Sequence, residues 1–294
     1  MTELPLPPSD LPLGSAGLRV APLAWGMWRL SGGRSETSAR VHAALDAGIT
    51  LFDTADIYGQ DGFGSAEERL GEVLASDPGL RSRTVLATKG GIRPPLPYDQ
   101  SPDYLRSAID ASLRRLRTER IDLYQIHRPD ILAHPQEVAR CLEEAVAAGK
   151  IGLLGVSNFT TAQVDALQHF LRLPLAATQP EISPLRIEPF ENGELDQAMR
   201  LALRPLAWSP LAGGRLLQPR TERERAVAEA LGAVHQDPGI AALSWLLTHP
   251  AGIVPILGTQ RPERIAAAGE ALTVRWTRER WYEVLVAARG VPLP

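Results

Sequence analysis

The chain has 294 residues, of which 44% are hydrophobic and 22% charged, with a formal net charge of −3; that is a globular profile, long enough for one large α/β barrel or two ordinary domains, with no basic excess to attract nucleic acid. The single cysteine, Cys141, excludes an intramolecular disulfide and a zinc ribbon, and its helical surroundings (EVARCLEEAVAAGK) suit a buried, inert thiol. The N-terminal MTELPLPPSDLPLG lacks the basic region and apolar run of a signal peptide, and no apolar stretch reaches the roughly 18 residues of a membrane span, so a cytoplasmic protein without membrane contact is expected.

In chain order, LPLGSAGLRV (11–20) reads as a hairpin around a Gly-Ser turn, placed as a plug under a sheet or barrel. Strand-length apolar runs then alternate with segments of helical spacing. The strands fall at 22–26, 50–53, 84–89, 121–127, 151–157, 175–181, 205–210 and 252–257. The helices fall at 36–47, 65–75, 102–116, 135–148, 161–171, 194–201, 239–248 and 261–272. The third helix opens with a capping pair, Ser101-Pro102. Two further amphipathic segments, 220–234 and 277–290, read as packing helices. Prolines and glycines are dispersed, and no Ser/Gly linker marks a boundary, so residues 1–294 are expected to form one domain. Eight strands each followed by a helix predict a closed (β/α)8 TIM barrel rather than an open doubly wound sheet.

Neither GxGxxG nor GxxxxGK[ST] occurs, so any nucleotide must bind outside the Rossmann and Walker geometries. HExxH is absent too, and His42, His134, His169, His235 and His249 are scattered, so no protein-bound metal is expected. What stands out is the polar character of the strand ends: Asp53, Lys89, His127, Ser157, Asn158, Gln179, Glu181, Ser209 and Thr259. In a TIM barrel such ends converge on one mouth. Taken singly, Asp53 is a turn residue, Lys89 a surface lysine, Trp208 a core aromatic and Asn158 a helix cap. Taken together, Asp53, Tyr58, Lys89 and His127 can move a proton. An ammonium beside a phenol lowers the phenol's pKa, a carboxylate keeps that ammonium charged, and a histidine orients a substrate oxygen.

LFDTADIYG, the lysine of VLATKGG, the histidine of LYQIHRPD, GLLGVSNF and LAWSPLAGGRL resemble the signatures of the aldo-keto reductase superfamily, over about residues 12 to 272. Within it, WGMWRL, IHRPD and EISP resemble a bacterial NADP(H)-dependent branch of broad or unassigned substrate. The resemblance implies reduction of aldehydes or ketones without a metal, with Tyr58 as general acid, Lys89 and Asp53 tuning it, and His127 orienting the carbonyl. It further implies that Ser157, Asn158 and Gln179 hold the nicotinamide carboxamide and that Trp208 stacks on the ring. Ser209, Leu211, Gly213 and Arg215 would line the pyrophosphate, and Thr259, Gln260 and Arg264 the 2′-phosphate. Gly26, Trp28 and Gly258 complete the cofactor set. Gly258 stands where the family often has a lysine, and Ala268 where it often has an asparagine on adenine, which implies weaker phosphate selectivity. Trp28, Tyr58, Tyr98 and His127 would wall an open pocket for a small carbonyl substrate. Two other readings are an NADPH-binding regulatory subunit on the same fold, and a cofactor-free barrel hydrolase or lyase. No oligomeric state follows from any of them.

Overall fold

The computed structural model describes residues 2–15 and 17–293; Met1, Pro294 and Ala16, which falls within the predicted hairpin, lie outside them. Among the described residues, strands β1 (Leu11–Pro12) and β2 (Arg19–Val20) pair antiparallel, Leu11 opposite Val20. Eight further strands close a parallel barrel. They are β3 (Ala24–Gly26), β4 (Leu51–Asp53), β5 (Val85–Gly90), β6 (Ile121–Ile126), β7 (Ile151–Ser157), β8 (Leu175–Gln179), β9 (Arg204–Ala207) and β10 (Val254–Leu257), with β10 hydrogen-bonded to both β9 and β3.

Because side chains alternate along a strand, each barrel strand sends every second residue inward. At the lower end these residues are apolar: Ala24, Leu51, Val85, Ala87, Leu123, Ala177, Leu206 and Val254 form one buried cluster. Leu11, Leu13 and Val20 of the hairpin join that cluster, so the hairpin plugs the floor as its sequence suggests. The fit is close: a Cβ on Gly14 would lie 2.7 Å from Cβ of Ala176. Two residues further up the same strands the inward positions turn polar, at Asp53, Lys89, Gln125 and Gln179, all buried.

Outside lie α1 (Arg34–Asp46), α2 (Ser65–Ser76), α3 (Pro78–Arg83), α4 (Pro102–Leu116), α5 (Pro135–Ala147), α6 (Thr161–Phe170), α7 (Glu194–Leu201), α8 (Glu222–Gly232), α9 (Pro238–Leu247), α10 (Pro262–Ala267) and α11 (Arg278–Arg289). Five of them begin with proline in the first turn, where its missing N–H costs nothing. Three differences from the sequence reading have local causes. The short α3 was not anticipated; Asp77 caps it by accepting from the Gly79 N–H at 3.0 Å. The segment 261–272 is not one helix: α10 gives way to a 3-10 turn, Ala268–Leu272. Asn158 is not a helix cap, because Thr160 caps α6 in a reciprocal box with Gln163.

Helix α9 is buried at every residue after Pro238, and a helix apolar on every side must be covered. Trp281 of α11 stacks on Trp245 of α9 at 4.7 Å and 15°, and each indole N–H donates to the other residue's carbonyl, at 3.0 and 3.1 Å. Such an aromatic pair contributes about 1 kcal/mol beyond its buried area. The added helices are thus packing elements. Among the described residues, no helix is long and apolar enough to cross a membrane.

Candidate active site

Asp53 ends β4, and Lys89 sits one residue before the end of the neighbouring strand β5. The lysine is fully buried, yet each of its three N–H groups has an acceptor: Asp53 Oδ1 at 2.8 Å, Asp53 Oδ2 at 2.7 Å and the Thr54 carbonyl at 2.8 Å. Asp53 Oδ1 also accepts from Gln179 Nε2 at 3.0 Å and Gln125 Nε2 at 3.4 Å. An ion pair sealed in this way is tolerable only because nearly every hydrogen-bonding group is used. The loop after β4 then turns Tyr58 over the pair, its backbone pinned where the Asp56 N–H donates to the Lys89 carbonyl at 3.0 Å. Lys89 Nζ lies 4.8 Å from the centre of the Tyr58 ring, and His127 meets that ring edge-on at 5.5 Å and 81°. All four residues read from the sequence come together.

A second set of predicted residues flanks this group. Asn158, at a positive φ of 60°, donates from Nδ2 to Ser157 Oγ at 2.8 Å and to the His127 carbonyl at 3.2 Å. Its Oδ1 accepts from the Trp208 indole at 3.0 Å, and Ser157 Oγ donates to the Gln179 carbonyl at 2.9 Å. The Asn158 amide is therefore oriented before any ligand arrives. Gln179 spends its N–H on Asp53, which leaves its Oε1 to accept.

Beyond Trp208, Ser209 has a φ of 56°, and Gly213 (φ 69°) and Gly214 (φ 96°) face open space where a Cβ would meet nothing within 4 Å. Leu211 lies in the same loop. Arg215 is tethered, donating to the Ala212 carbonyl at 3.0 Å and pairing with Glu224 at 3.4 Å. Gly258 also faces open space. Thr259 Oγ1 accepts from the Arg261 N–H at 3.3 Å, and Arg264 is exposed.

Of the other predicted residues, two are held by contacts within the barrel and two stand exposed. Gln260 turns inward and donates to the Gly26 carbonyl at 3.0 Å, so that amide N–H does not face a phosphate. Gly26 itself is required by packing, since a Cβ there would lie 2.7 Å from Ile256 Cγ2. Trp28 and Tyr98 are exposed, at 52% and 37%, and it is His127 whose ring meets Tyr58.

Residues 22–285 match the sequence profile of the aldo/keto reductase family. The chain belongs to that family. It is 65% identical to a 6-dehydroglucose reductase of Novosphingobium aromaticivorans, with all of both chains aligned. It is 38% identical to a 6-dehydroglucose reductase of Agrobacterium fabrum, over 93% of this chain and 96% of that one. A glycerol dehydrogenase from Gluconobacter oxydans superimposes with a TM-score of 0.83 at 26% identity, covering 97% of this chain and 98% of its own.

Aldo/keto reductases generally use NAD(P)H, and the oriented Asn158 amide and the open glycine loop at 213–214 fit such a group. The electrostatics of this family member correct one expectation. Burial, the largest influence on Tyr58, lifts its pKa above the usual phenol value, and Lys89 only partly opposes it. For Lys89 burial acts to lower the pKa, but Asp53 and Tyr58 together outweigh it and hold the ammonium charged. His127 is held well below its ordinary pKa by burial, then by Lys89 and Arg128, so it is a neutral imidazole.

Two buried residues of the site went unread in the sequence. Gln125 lies two positions before His127, and period-2 alternation on β6 would have found it. Asp56 is the other, 1% exposed; its carboxyl is pushed up to about 8 by burial and by Glu67, and neither oxygen has a partner among the described residues. A carboxyl between Asp53 and Tyr58 gives no sequence signal of its own, because only the fold decides which of the two acids meets Lys89.

Proposed function

We propose that this chain reduces aldehydes or ketones to alcohols with NADPH, with Tyr58 as the general acid and a small hydroxylated aldehyde as substrate. The observation that carries the reading is the sealed Asp53–Lys89 pair beneath the Tyr58 ring, with neutral His127 against the ring edge. Bound NADPH supplies a hydride to the carbonyl carbon. Tyr58 keeps its proton in the resting site, because burial disfavours the phenolate, and releases it to the substrate oxygen as negative charge develops there. Lys89, kept charged by Asp53, then stabilises the phenolate. His127, being neutral, orients the carbonyl by a hydrogen bond without itself acting as the acid.

Ser157, Asn158 and the Oε1 of Gln179 would hold the carboxamide, and Trp208 would flank the ring. The loop from Ser209 to Arg215 would line the pyrophosphate, with its glycines allowing close approach. Arg264, exposed at the start of α10, is the group suited to a 2′-phosphate, because a guanidinium offers a charged fork of donors. The 65% identity to a 6-dehydroglucose reductase favours an aldehyde at carbon six of a hexose, and the half-exposed Trp28 suits an open mouth.

NADPH consumption with 6-dehydroglucose, aldehydes, dicarbonyls and quinones tests the reading. Tyr58→Phe should lower kcat by about a thousandfold while NADPH still quenches or enhances fluorescence with unchanged affinity. Wild-type turnover in that variant would sink the assignment of the acid.

A further inference from the structure

The loop that presents Tyr58 is tied down on two sides. The Thr54 N–H donates to the Ala87 carbonyl at 2.9 Å and the Asp56 N–H to the Lys89 carbonyl at 3.0 Å, which fastens the loop to β5. Two residues on, the Tyr58 carbonyl accepts from the Ala66 N–H of α2 at 3.0 Å. Between these ties lies the Asp56 carboxyl, buried with both oxygens unpartnered among the described residues. Tyr124 of β6 is also fully buried, and its hydroxyl has no partner either. The two groups are neighbours: the point that a Cβ on Gly90 would occupy lies 2.1 Å from Tyr124 Oη and 3.3 Å from Asp56 Oδ2. Glycine at that position leaves the space to the phenol and the acid.

A buried polar group without a partner is unfavourable, and a buried carboxylate without a donor is far more so. The neutral acid answers both needs. It has an O–H to give and a carbonyl oxygen to receive, as the phenol has a donor and an acceptor, and at this spacing one water joins them. The other groups that face Asp56 are engaged elsewhere. Glu67 on α2 accepts from Thr88 and pairs with Arg115 of α4 at 2.7 Å, Lys89 on β5 is held by Asp53 and Thr54, and the Tyr104 hydroxyl of α4 donates to the Ile92 carbonyl at 2.9 Å. Burial and then Glu67 favour the neutral acid, and Arg115, the Ile57 backbone N–H and Lys89 oppose them less strongly.

We propose that Asp56 is a positioning residue for Tyr58: as a neutral acid joined to Tyr124, it holds the loop that keeps the phenol over Lys89. The proposal rests on the carbonyl-reductase reading above. An Asp56 carboxylate has nothing to bond where it lies and must move towards water. That movement draws the Asp56 N–H from the Lys89 carbonyl and shifts Tyr58, two residues on, from its place with Lys89 Nζ 4.8 Å from the ring centre. Turnover is then lost as pH rises through about 8, before Tyr58, itself lifted above the usual phenol value, gives up its own proton.

The single-turnover rate of NADPH oxidation, with whichever aldehyde of the panel above reacts fastest, should fall about tenfold between pH 7 and pH 9 in the wild type. Asp56→Asn keeps a neutral hydrogen-bonding group that does not titrate, so its rate should fall by less than about twofold over the same interval. No fall in the wild type, or an equal fall in both proteins, would overturn the proposal while leaving carbonyl reduction in place. Tyr124→Phe removes only the hydroxyl and should lower the rate at pH 7 by about tenfold; an unchanged rate would overturn the proposal as well. A further readout needs no turnover. At pH 9, amide hydrogen exchange across residues 54–66 should be faster in the wild type than in Asp56→Asn by about fivefold or more, and within about twofold at pH 7. Equal exchange at pH 9 would overturn the proposal. If the wild-type protein reduces no aldehyde of the panel, the carbonyl-reductase reading fails, and the exchange comparison still decides whether Asp56 holds the loop.

Discussion

Lys89 is an ammonium with no exposed surface, held by three acceptors within 2.8 Å. Removing one member of such a pair strands the other charge. Lys89→Met should therefore cost about 3 kcal/mol of stability as well as turnover, and Asp53→Asn combined with it should recover part of the stability but none of the activity. Urea unfolding of the single and double variants checks this, and additive losses would show that the two side chains are not coupled. Arg264 belongs to the opposite regime, exposed and without a structural task among the described residues. Arg264→Ala should weaken NADPH binding by about tenfold and NADH binding by less than about threefold. Titration with both cofactors reads the difference, and equal losses would remove the 2′-phosphate contact. At this scale the sequence was informative wherever a residue type matched its chemistry, as at Asp53, Tyr58, Lys89 and His127. Residue type says less at Gln260, whose amide donates to the Gly26 carbonyl, because a glutamine reads alike whether it faces a ligand or a carbonyl.

Between elements, one close approach near the site is α2 against α4. A Cβ on Gly71 would lie 2.1 Å from the Arg115 carbonyl, so only glycine lets the two helices meet. That meeting brings Arg115 to Glu67, and Glu67 in turn accepts from Thr88, the residue before Lys89 on β5. The outer helices thus brace the strand that carries Lys89. Gly71→Ala should lower stability by about 1–3 kcal/mol, seen as a lower Tm, through helix separation rather than propensity, since alanine is the better helix former. A raised Tm would contradict the close contact. Eight strands and most helices were legible from periodicity because each buries one face. The short α3 and the break at Ala268 were not, since capping and the curvature of the barrel decide them over a few residues.

For the whole molecule, two buried groups of the site make stability depend on pH in opposite senses. His127 titrates lower in the folded chain than its ordinary 6.5, so the unfolded state binds the extra proton and the stability His127 contributes is lost as pH falls below that value. Asp56 titrates higher, near 8 against 3.8, so the folded state holds the extra proton and stability is lost as pH rises between these values, by up to about 1.4 kcal/mol per pH unit. Glu67 on α2, Arg115 on α4 and Lys89 on β5 face Asp56 and set its charge environment; the Glu67 carboxylate raises its pKa and the two cations lower it, less than burial raises it. Asp56→Asn should gain on the wild type as pH is raised from 5 to 9. Parallel stability curves for the two proteins in urea would show that Asp56 is not buried as a neutral acid.

The sequence by itself determined the alternation of strands and helices, the plugged barrel, and the four side chains that meet at its mouth. These depend on period, residue type and chain order, which are properties of the string. Only the tertiary structure decided how those groups behave. Burial keeps the proton on Tyr58 against the pull of Lys89, and the fold turns Gln125 and Gln179 towards Asp53, leaves the Asp56 carboxyl without a partner among the described residues, and packs Gly26 against Ile256. The physical reason is that desolvation and hydrogen-bond satisfaction depend on what surrounds an atom in three dimensions, and residues distant in the chain supply most of those surroundings.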